Sequence, residues 1–198
     1  MQWVPPLLVH FKGMLHDILF AFWFMLPAAA ANGAPILTAR MPLVQKWNAR
    51  IDFGKKFHGR PVLGSHKTWR GLVSGMIVAT LVLWLQQLAA AHISWSDIFT
   101  AHVPYADFPT LILGPLFGLG ALGGDAIESF FKRRHGTESG KSWFPFDQLD
   151  YVVGALLVSL PFVILSLRHY VLIVIIWFGM HLASTYIGWK LGLKDQPV

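Results

Sequence analysis

Five stretches of apolar residues, each close to the length needed to cross a lipid bilayer, constrain the fold of this 198-residue chain more than any other feature. A spanning helix needs about 20 such residues, because the hydrocarbon core of a bilayer is about 30 Å thick. Pro27 and Pro161 interrupt the first and fourth stretches, so we expect these two helices to be the shortest. The stretches cover approximately residues 15–31, 72–91, 108–131, 151–167 and 170–191.

The composition excludes an ordinary soluble domain, because 55% of the residues are hydrophobic and only 13% are charged. Inside a bilayer, helices satisfy their own backbone hydrogen bonds. We therefore predict an all-α, polytopic integral membrane protein with about five transmembrane helices, forming a single domain over residues 1–198. The chain has no cysteine, so a metal site must use oxygen or imidazole ligands. The histidines show no zinc-like spacing with a carboxylate partner.

The loop after the first apolar stretch is long and strongly basic. Residues 33–71 contain eight lysines and arginines and one acid, Asp52. Basic loops remain cytoplasmic, so we predict an outside N-terminus and a cytoplasmic site in the cell inner (plasma) membrane. Eight bases exceed what orientation requires, which indicates an additional anion-binding role. Further bases on the same predicted side are Lys132, Arg133, Arg134, Lys141, Lys190 and Lys194.

The segment GDAIESFFKRRHG, residues 124–136, places two carboxylates at the end of the third apolar stretch. Asp125, Glu128 and Lys132 are spaced i, i+3 and i+7, so they share one helix face. Two carboxylates one turn apart repel each other, and a hard cation such as Mg²⁺ removes that penalty. The alternative interpretation is a helix-end charge pair with Lys132.

A second acidic pair, Asp147 and Asp150, opens the fourth predicted helix with the same i, i+3 spacing. Asp147 alone is also explained as a helix N-cap. However, the intervening loop must return the chain to the same membrane face, so all four carboxylates can meet beside Lys132, Arg133 and Lys141. Carboxylates next to cations favour a site for Mg²⁺ and phosphate groups.

The end of the long basic loop, GRPVLGSHKTWRG, resembles a phosphate-binding segment. Glycines allow backbone N–H groups to approach a phosphate, while Lys67, Thr68 and Arg70 add charge and a hydroxyl. It is not a Walker A motif, because the lysine does not follow the second glycine directly. The GLGALG run, residues 118–123, lies inside an apolar stretch, so we interpret it as a helix-packing surface rather than a dinucleotide-binding motif.

These residues resemble the CDP-archaeol synthase family, within the superfamily of CTP-dependent phosphatidate cytidylyltransferases. The resemblance is carried by IDFGKKF, GSHKTWRG and GGDAIESFFKRRHG…FDQLDYVVGALL and covers about residues 32–157. It implies a five-helix membrane enzyme that transfers CMP from CTP to a lipid phosphate with Mg²⁺ and releases pyrophosphate. One departure is Ser65-His66, where family members often carry Asp and Gly.

The resemblance also implies roles for individual residues, and these complete the predicted site. The predicted catalytic residues are Asp125, Lys132, Asp147 and Asp150. The predicted metal ligands are Asp125, Asp147, Asp150 and, less directly supported by the motif, Glu128. The predicted nucleotide contacts are Lys55, Lys67, Thr68, Arg70, Gly71, Arg133 and Lys141.

Two other functions fit parts of the pattern. A CDP-alcohol phosphotransferase also uses clustered acids at a membrane surface, but its longer D-G-x-x-A-R pattern is missing here. A small polytopic transporter would carry acids near the bilayer midplane and repeated helices. We expect CTP, a lipid phosphate and the membrane as partners, and no nucleic acid. The sequence leaves open the lipid tails, their ether or ester linkage, the number of metals and the oligomeric state.

Overall fold

The structure, a computed structural model, describes residues 6–100, 102–137 and 141–192, so Lys194 lies outside the described residues. In these ranges the regular elements are helices, apart from one small two-stranded hairpin. Two short 3₁₀ helices, Ser94–Ser96 and Tyr105–Asp107, lie between the second and fourth α-helices. The remaining elements are α1 (Pro6–Ala39), β1 (Lys56–Phe57), β2 (Arg60–Pro61), α2 (Trp69–His92), α3 (Asp97–Thr100), α4 (Thr110–Arg134), α5 (Phe146–Ser159) and α6 (Leu167–Lys190).

Four of the described helices, α1, α2, α4 and α6, are long and apolar enough to cross a membrane. They confirm the all-α polytopic fold, and α5 lies where the fourth of the five predicted transmembrane helices was expected. The fourth predicted helix differs in its bounds, because α5 has only 14 residues and ends at Ser159. Pro161 follows two residues later, after the C-cap Leu160, and lacks the N–H needed to extend the helix. At about 21 Å, α5 is too short to cross a bilayer alone.

The first helix is longer than predicted and continues through both of its prolines. It runs for 34 residues and includes Pro27 and Pro35. The prediction that Pro27 would shorten it was wrong, because helices packed among other membrane helices tolerate proline when neighbouring groups compensate for the missing hydrogen bond. Pro27 is fully buried inside the bundle.

Helix α4 is packed tightly between α2 and α5 through its glycines. A Cβ added at Gly118 would lie 2.5 Å from the Cα of Met76 on α2, and one added at Gly120 would lie 2.6 Å from the carbonyl oxygen of Gly154 on α5. Small residues at such positions let helix backbones approach closely. The interpretation of the GLGALG run as a helix-packing surface is therefore confirmed.

The basic loop between α1 and α2 folds back on itself. The backbone N–H of Ile51 donates to the carbonyl of Lys67 at 2.9 Å, and that of Trp69 donates to the carbonyl of Ala49 at 3.0 Å. Within this closure, β1 and β2 form a hairpin whose two turn residues, His58 and Gly59, both have positive φ. This is the turn geometry that suits the twist of a two-residue hairpin.

The helix order defines two ends of the bundle. The basic loop lies between the end of α1 and the start of α2, and α4 also ends there. At the opposite end, between the end of α2 and the start of α4, lie residues 93–100 and 102–109. Helix α5 starts at the basic-loop end, and α6 starts at the opposite end.

Candidate functional site

Three carboxylates from two helices converge at the basic-loop end of the bundle. Asp125 and Glu128 lie one turn apart on α4, and Asp150 lies on α5. Oxygen atoms of the three side chains all lie within 4.8 Å of one another. Glu128 is buried, while Asp125 and Asp150 are partly exposed. We call Asp125, Glu128 and Asp150 the carboxylate cluster.

The close approach of α4 and α5 places these side chains together. Gly124 precedes Asp125, and a Cβ at Gly124 would collide with the carbonyl group of Asp150. One turn away, a Cβ at Gly154 would lie 3.1 Å from the Cα of Gly124. Because both backbones lack a side chain at this crossing, the carboxylates on either side of it can face the same point.

Lys67 connects the basic loop to the carboxylate cluster. Its Nζ lies 2.6 Å from Oδ2 of Asp125, and both side chains are partly exposed. Its backbone position is fixed by the hydrogen bond between the Lys67 carbonyl and Ile51. The structure therefore brings together the predicted lysine and the predicted acid, although the two are far apart in sequence.

Asp147 has a different environment from the three clustered acids. Its two carboxylate oxygens accept hydrogen bonds from Nζ of Lys132 at 2.6 and 2.8 Å, and Oδ2 also accepts from the backbone N–H of Trp143 at 2.7 Å. Lys132 is buried, and its Nζ lies 3.7 Å from Oε1 of Glu128. The geometry thus favours a role for Asp147 in positioning Lys132 beside the cluster, and its role as a metal ligand remains a prediction.

The hairpin of the basic loop docks on the end of α4. Arg60 donates to the backbone carbonyls of Arg133 and Arg134 at the end of this helix. In return, Arg134 donates to the carbonyl of Pro61 at 2.8 Å, and its guanidinium lies 4.0 Å from the ring centre of Phe130. Cations at a helix C-terminus interact favourably with its unpaired carbonyls. These contacts hold the loop over the helix that carries Asp125 and Glu128.

Asp52, the single acid among the eight bases of the loop, organises the loop from inside. It is buried and accepts hydrogen bonds from Arg50, from the backbone N–H of Gly54 and from the backbone N–H of Leu63. Burial by itself raises the pKa of Asp52, but these hydrogen bonds outweigh it and hold the pKa below its ordinary value of 3.8. In the sequence, the isolation of Asp52 among eight bases is the one signal that could have indicated this role.

We expect Asp52→Asn to loosen the basic loop without unfolding the helices. A hydrogen bond to a charged group contributes about 1.5–3 kcal/mol, so amide hydrogen exchange at Gly54 and Leu63 should accelerate at least about tenfold at neutral pH. The exposed Asp97, in α3, offers a matched control, because Asp97→Asn should leave the exchange of the loop unchanged.

The pH dependence of this exchange provides a second readout. Because the pKa of Asp52 is lowered in the folded chain, the stabilisation is fully present above 3.8 and disappears as the pH falls through the folded pKa. The difference between the unmodified chain and Asp52→Asn should therefore persist through neutral pH and vanish only in acid. An equal exchange rate in both chains at pH 7 would contradict this role.

The other predicted nucleotide-binding residues are placed around the cluster in different ways. Thr68 caps α2, since its hydroxyl accepts from the backbone N–H of Gly71 at 3.2 Å. Arg70 donates to the carbonyl of Gln45 at 2.9 Å, and the buried Arg133 donates to the carbonyl of Thr137 at 2.6 Å. A Cβ at Gly71 would lie 3.1 Å from Pro35 of α1. Lys55 and Lys141 are exposed.

The carboxylate cluster fits a hard divalent cation. Its donors are oxygens only, which is the ligand type that Mg²⁺ prefers, and Mg²⁺ usually binds through a few carboxylates together with substrate phosphates. Oε1 of Glu128 is buried and has no hydrogen-bond partner among the described residues. A buried carboxylate oxygen that accepts no hydrogen bond and lies beside two other carboxylates is costly, although Lys132 is 3.7 Å away, and a bound cation would compensate for it.

Comparisons with known proteins agree on one family. The family model described as CarS-like, CDP-archaeol synthase, matches residues 14–198. A CDP-archaeol synthase of Methanospirillum hungatei is 38% identical over 181 residues, covering 87% of this chain and 99% of the relative. One of Archaeoglobus fulgidus is 36% identical over 189 residues, covering 93% of this chain and 99% of the relative.

A solved structure supports the same similarity in three dimensions. It is described as an intramembrane enzyme for archaeal membrane lipids biosynthesis, and it superposes with a TM-score of 0.68 at 31% sequence identity. The match covers 84% of this chain and 93% of the solved chain. Fold and sequence thus point to the same group of membrane proteins.

Proposed function

Because the chain belongs to the CDP-archaeol synthase family, we propose that it transfers CMP from CTP to a membrane lipid phosphate, giving a CDP-activated lipid and pyrophosphate. Membership in this family makes the chain a cytidylyltransferase and decides against the CDP-alcohol phosphotransferase and the transporter considered above. The observation that carries the proposal is the carboxylate cluster held between Lys67 and Lys132.

In this reaction a phosphate oxygen of the lipid forms a bond to the α-phosphorus of CTP. The bond between that phosphorus and the oxygen bridging to the β-phosphate breaks, and pyrophosphate leaves with the electron pair. A phosphate monoester already carries charge near neutral pH, so the attack needs no strong general base. This agrees with a site whose described groups are carboxylates and lysines.

We propose that Asp125, Glu128 and Asp150 bind Mg²⁺, which would neutralise the triphosphate and support the departing pyrophosphate. Lys67 lies at the loop side of the cluster and Lys132 on its α4 side, and we propose that both contact phosphate oxygens of the substrates. Asp147 holds Lys132 in place through its two short hydrogen bonds. Preorganised cations of this kind stabilise the charge that develops on a leaving group.

The depth of the site suits a substrate that stays in the bilayer. Asp125 lies nine residues before the end of α4 at Arg134, which corresponds to about 14 Å along the helix. The cluster is therefore recessed below the end of the helix, and a lipid phosphate can reach it while the tails remain among apolar side chains. We propose that this end of the bundle, with its basic loop, faces the cytoplasm, as the loop charges predict.

The reaction can be tested by label transfer into lipid extracted with organic solvent. With purified chain and Mg²⁺, CTP labelled at the α-phosphate should label lipid phosphate, whereas CTP labelled at the γ-phosphate should not. Diacyl and geranylgeranyl-ether lipid phosphates, offered side by side, would reveal the tail preference. Removing divalent cations with a chelator should abolish transfer, and restoring Mg²⁺ should recover it.

Two results would contradict the proposal. Folded protein that labels none of the lipid phosphates from α-labelled CTP would exclude the reaction for these acceptors. Transfer of the γ-label into lipid would indicate phosphorylation instead of cytidylyl transfer.

A further inference from the structure

A second cluster of polar side chains lies at the opposite end of the bundle, away from the carboxylate cluster. It consists of Asp17 on α1, His102 before the 3₁₀ helix Tyr105–Asp107, and His169 on the first turn of α6. One ligand atom from each of the three side chains lies within 4.8 Å of the other two. We call these three residues the His-Asp cluster. The proposed CMP transfer does not use it.

The atoms of the His-Asp cluster face a common point. Nε2 of His102 lies 3.0 Å from Oδ1 of Asp17, and Nε2 of His169 lies 3.3 Å from the same oxygen. In a tetrahedral zinc site with bonds of about 2.1 Å, neighbouring ligand atoms are about 3.4 Å apart. The two distances from the imidazole nitrogens to Asp17 are therefore close to the ligand separation of a zinc site.

Neighbouring groups favour Nε2 of His169 and Oδ1 of Asp17 as ligand atoms. When Nδ1 of His169 carries the ring proton, its Nε2 is free to bind a metal ion. The Oγ of Ser166 lies 2.8 Å from Nδ1 and can accept a hydrogen bond from that proton. Such a hydrogen bond from the second ring nitrogen is a common feature of metal-binding histidines. The other oxygen of Asp17 is occupied by Arg168 at 2.6 Å, which leaves Oδ1 for the point shared with the histidines.

The surroundings exclude water from one side of the cluster. Asp17 is buried, and Phe20 is fully buried one turn further along α1. The ring of Phe20 contacts both imidazoles edge-on, with centroid distances of 5.0 Å to His102 and 5.3 Å to His169. An acid buried within a membrane helix is costly and usually marks a functional site.

The geometry points to a site for a divalent transition-metal ion of the zinc class, with His102, His169 and Asp17 as its three ligands. Imidazole nitrogen and carboxylate oxygen are ligands that zinc accepts, and a site with three protein ligands leaves the fourth position open. This site differs chemically from the carboxylate cluster, whose ligands are oxygens only. The absence of cysteine and of zinc-like histidine spacing does not exclude it, because the ligands come from three distant segments.

The bound ion would act as a clamp on this end of the bundle. It would join α1, the segment before α4 and the start of α6 at one point. Elsewhere α6 is held to α1 by a hydrogen bond of 3.1 Å from Nε1 of Trp177 to the carbonyl of Ala21. We therefore expect zinc to raise the midpoint of thermal unfolding.

Metal content measured on the full chain tests the inference. The purified protein, freed of any polyhistidine tag, would be stripped with a chelator and equilibrated with zinc in the presence of excess Mg²⁺, which occupies the carboxylate cluster. After gel filtration we expect one equivalent of zinc per chain, and loss of that equivalent in His102→Ala and in His169→Ala. His92→Ala, which removes an exposed histidine from the same end of the bundle, should retain the zinc. So should Asp150→Asn.

Cobalt provides a measurement on the unmodified chain, so the test does not depend on the variants folding. Co²⁺ added to the stripped protein should give the visible absorption of a four- or five-coordinate ion with imidazole ligands, and zinc should displace it. Absence of that absorption would overturn the inference. So would retention of zinc by both His102→Ala and His169→Ala, or its loss in Asp150→Asn.

Discussion

Asp150→Asn should lower the rate of CMP transfer at least about 100-fold. Replacing an outer-shell partner of a metal ligand commonly costs 10–100-fold, so removing a direct carboxylate oxygen should cost at least the upper end of that range. Asp150 is the only member of the carboxylate cluster, as the structure describes it, that lies on α5, and the other two oxygens come from α4. Initial rates of α-label transfer, measured as a function of Mg²⁺ concentration, provide the test.

The Mg²⁺ dependence separates the proposed ligand from the proposed positioning residue. In Asp150→Asn the Mg²⁺ concentration for half-maximal rate should rise. In Asp147→Asn the rate should fall because Lys132 loses its two short hydrogen bonds, while the half-maximal Mg²⁺ concentration should stay the same. Asp107→Asn, at an exposed acid of the opposite end, is the matched control and should retain full activity. If the half-maximal Mg²⁺ concentration rose in Asp147→Asn and stayed the same in Asp150→Asn, Asp147 would be the metal ligand and Asp150 the positioning residue.

Much of the fold follows from the lengths of the apolar stretches. The second and fifth stretches, predicted over residues 72–91 and 170–191, correspond closely to α2 (Trp69–His92) and α6 (Leu167–Lys190). The fourth does not, because apolar residues continue past Ser159 although the helix ends there. Hydropathy measures which residues tolerate lipid, whereas the end of a helix depends on its backbone hydrogen bonds.

The candidate site was only partly predictable, for a similar reason. Spacing of i, i+3 placed Asp125 and Glu128 on one face of α4, and the structure agrees. The same spacing predicted equivalent roles for Asp147 and Asp150. In the structure their environments differ, because the Asp147 carboxylate already accepts hydrogen bonds from Lys132 and from the backbone N–H of Trp143. Which carboxylate faces α4 depends on how the two helices cross, and that crossing is set by glycines rather than by the acids.

Residues that come together from distant segments leave no local pattern at all. Asp17 and His169 are separated by 152 positions, and nothing near either residue in the sequence indicates the other. Only the packing of α1 against α6 brings them together. Sequence spacing therefore detects sites carried by one or two neighbouring helices and misses sites that require the assembled bundle.

Gly124→Ala should lower both stability and activity, because the added Cβ meets backbone and not a movable side chain. It would collide with the carbonyl group of Asp150, so α4 and α5 would have to separate. Overpacking of this kind typically costs about 1–3 kcal/mol, and we expect a loss of about 2 kcal/mol in the free energy of unfolding. A displacement of about 1 Å between Asp125 and Asp150 should lower transfer about 100-fold, since reacting groups tolerate little misplacement.

Gly123→Ala provides a control at the neighbouring residue of the same helix. A Cβ at Gly123 has no neighbouring atom within 4 Å among the described residues, so this substitution should not lower the free energy of unfolding and should raise it by about 0.5–1 kcal/mol, the helix propensity gained over glycine. Both variants replace a helix glycine and add the same methyl group. They therefore differ only in whether that methyl group collides with the backbone of α5. Thermal unfolding in detergent and label-transfer rates, measured on the two variants together, therefore test the crossing itself. Equal behaviour of Gly123→Ala and Gly124→Ala would show that the contact between α4 and α5 does not set the geometry of the carboxylate cluster.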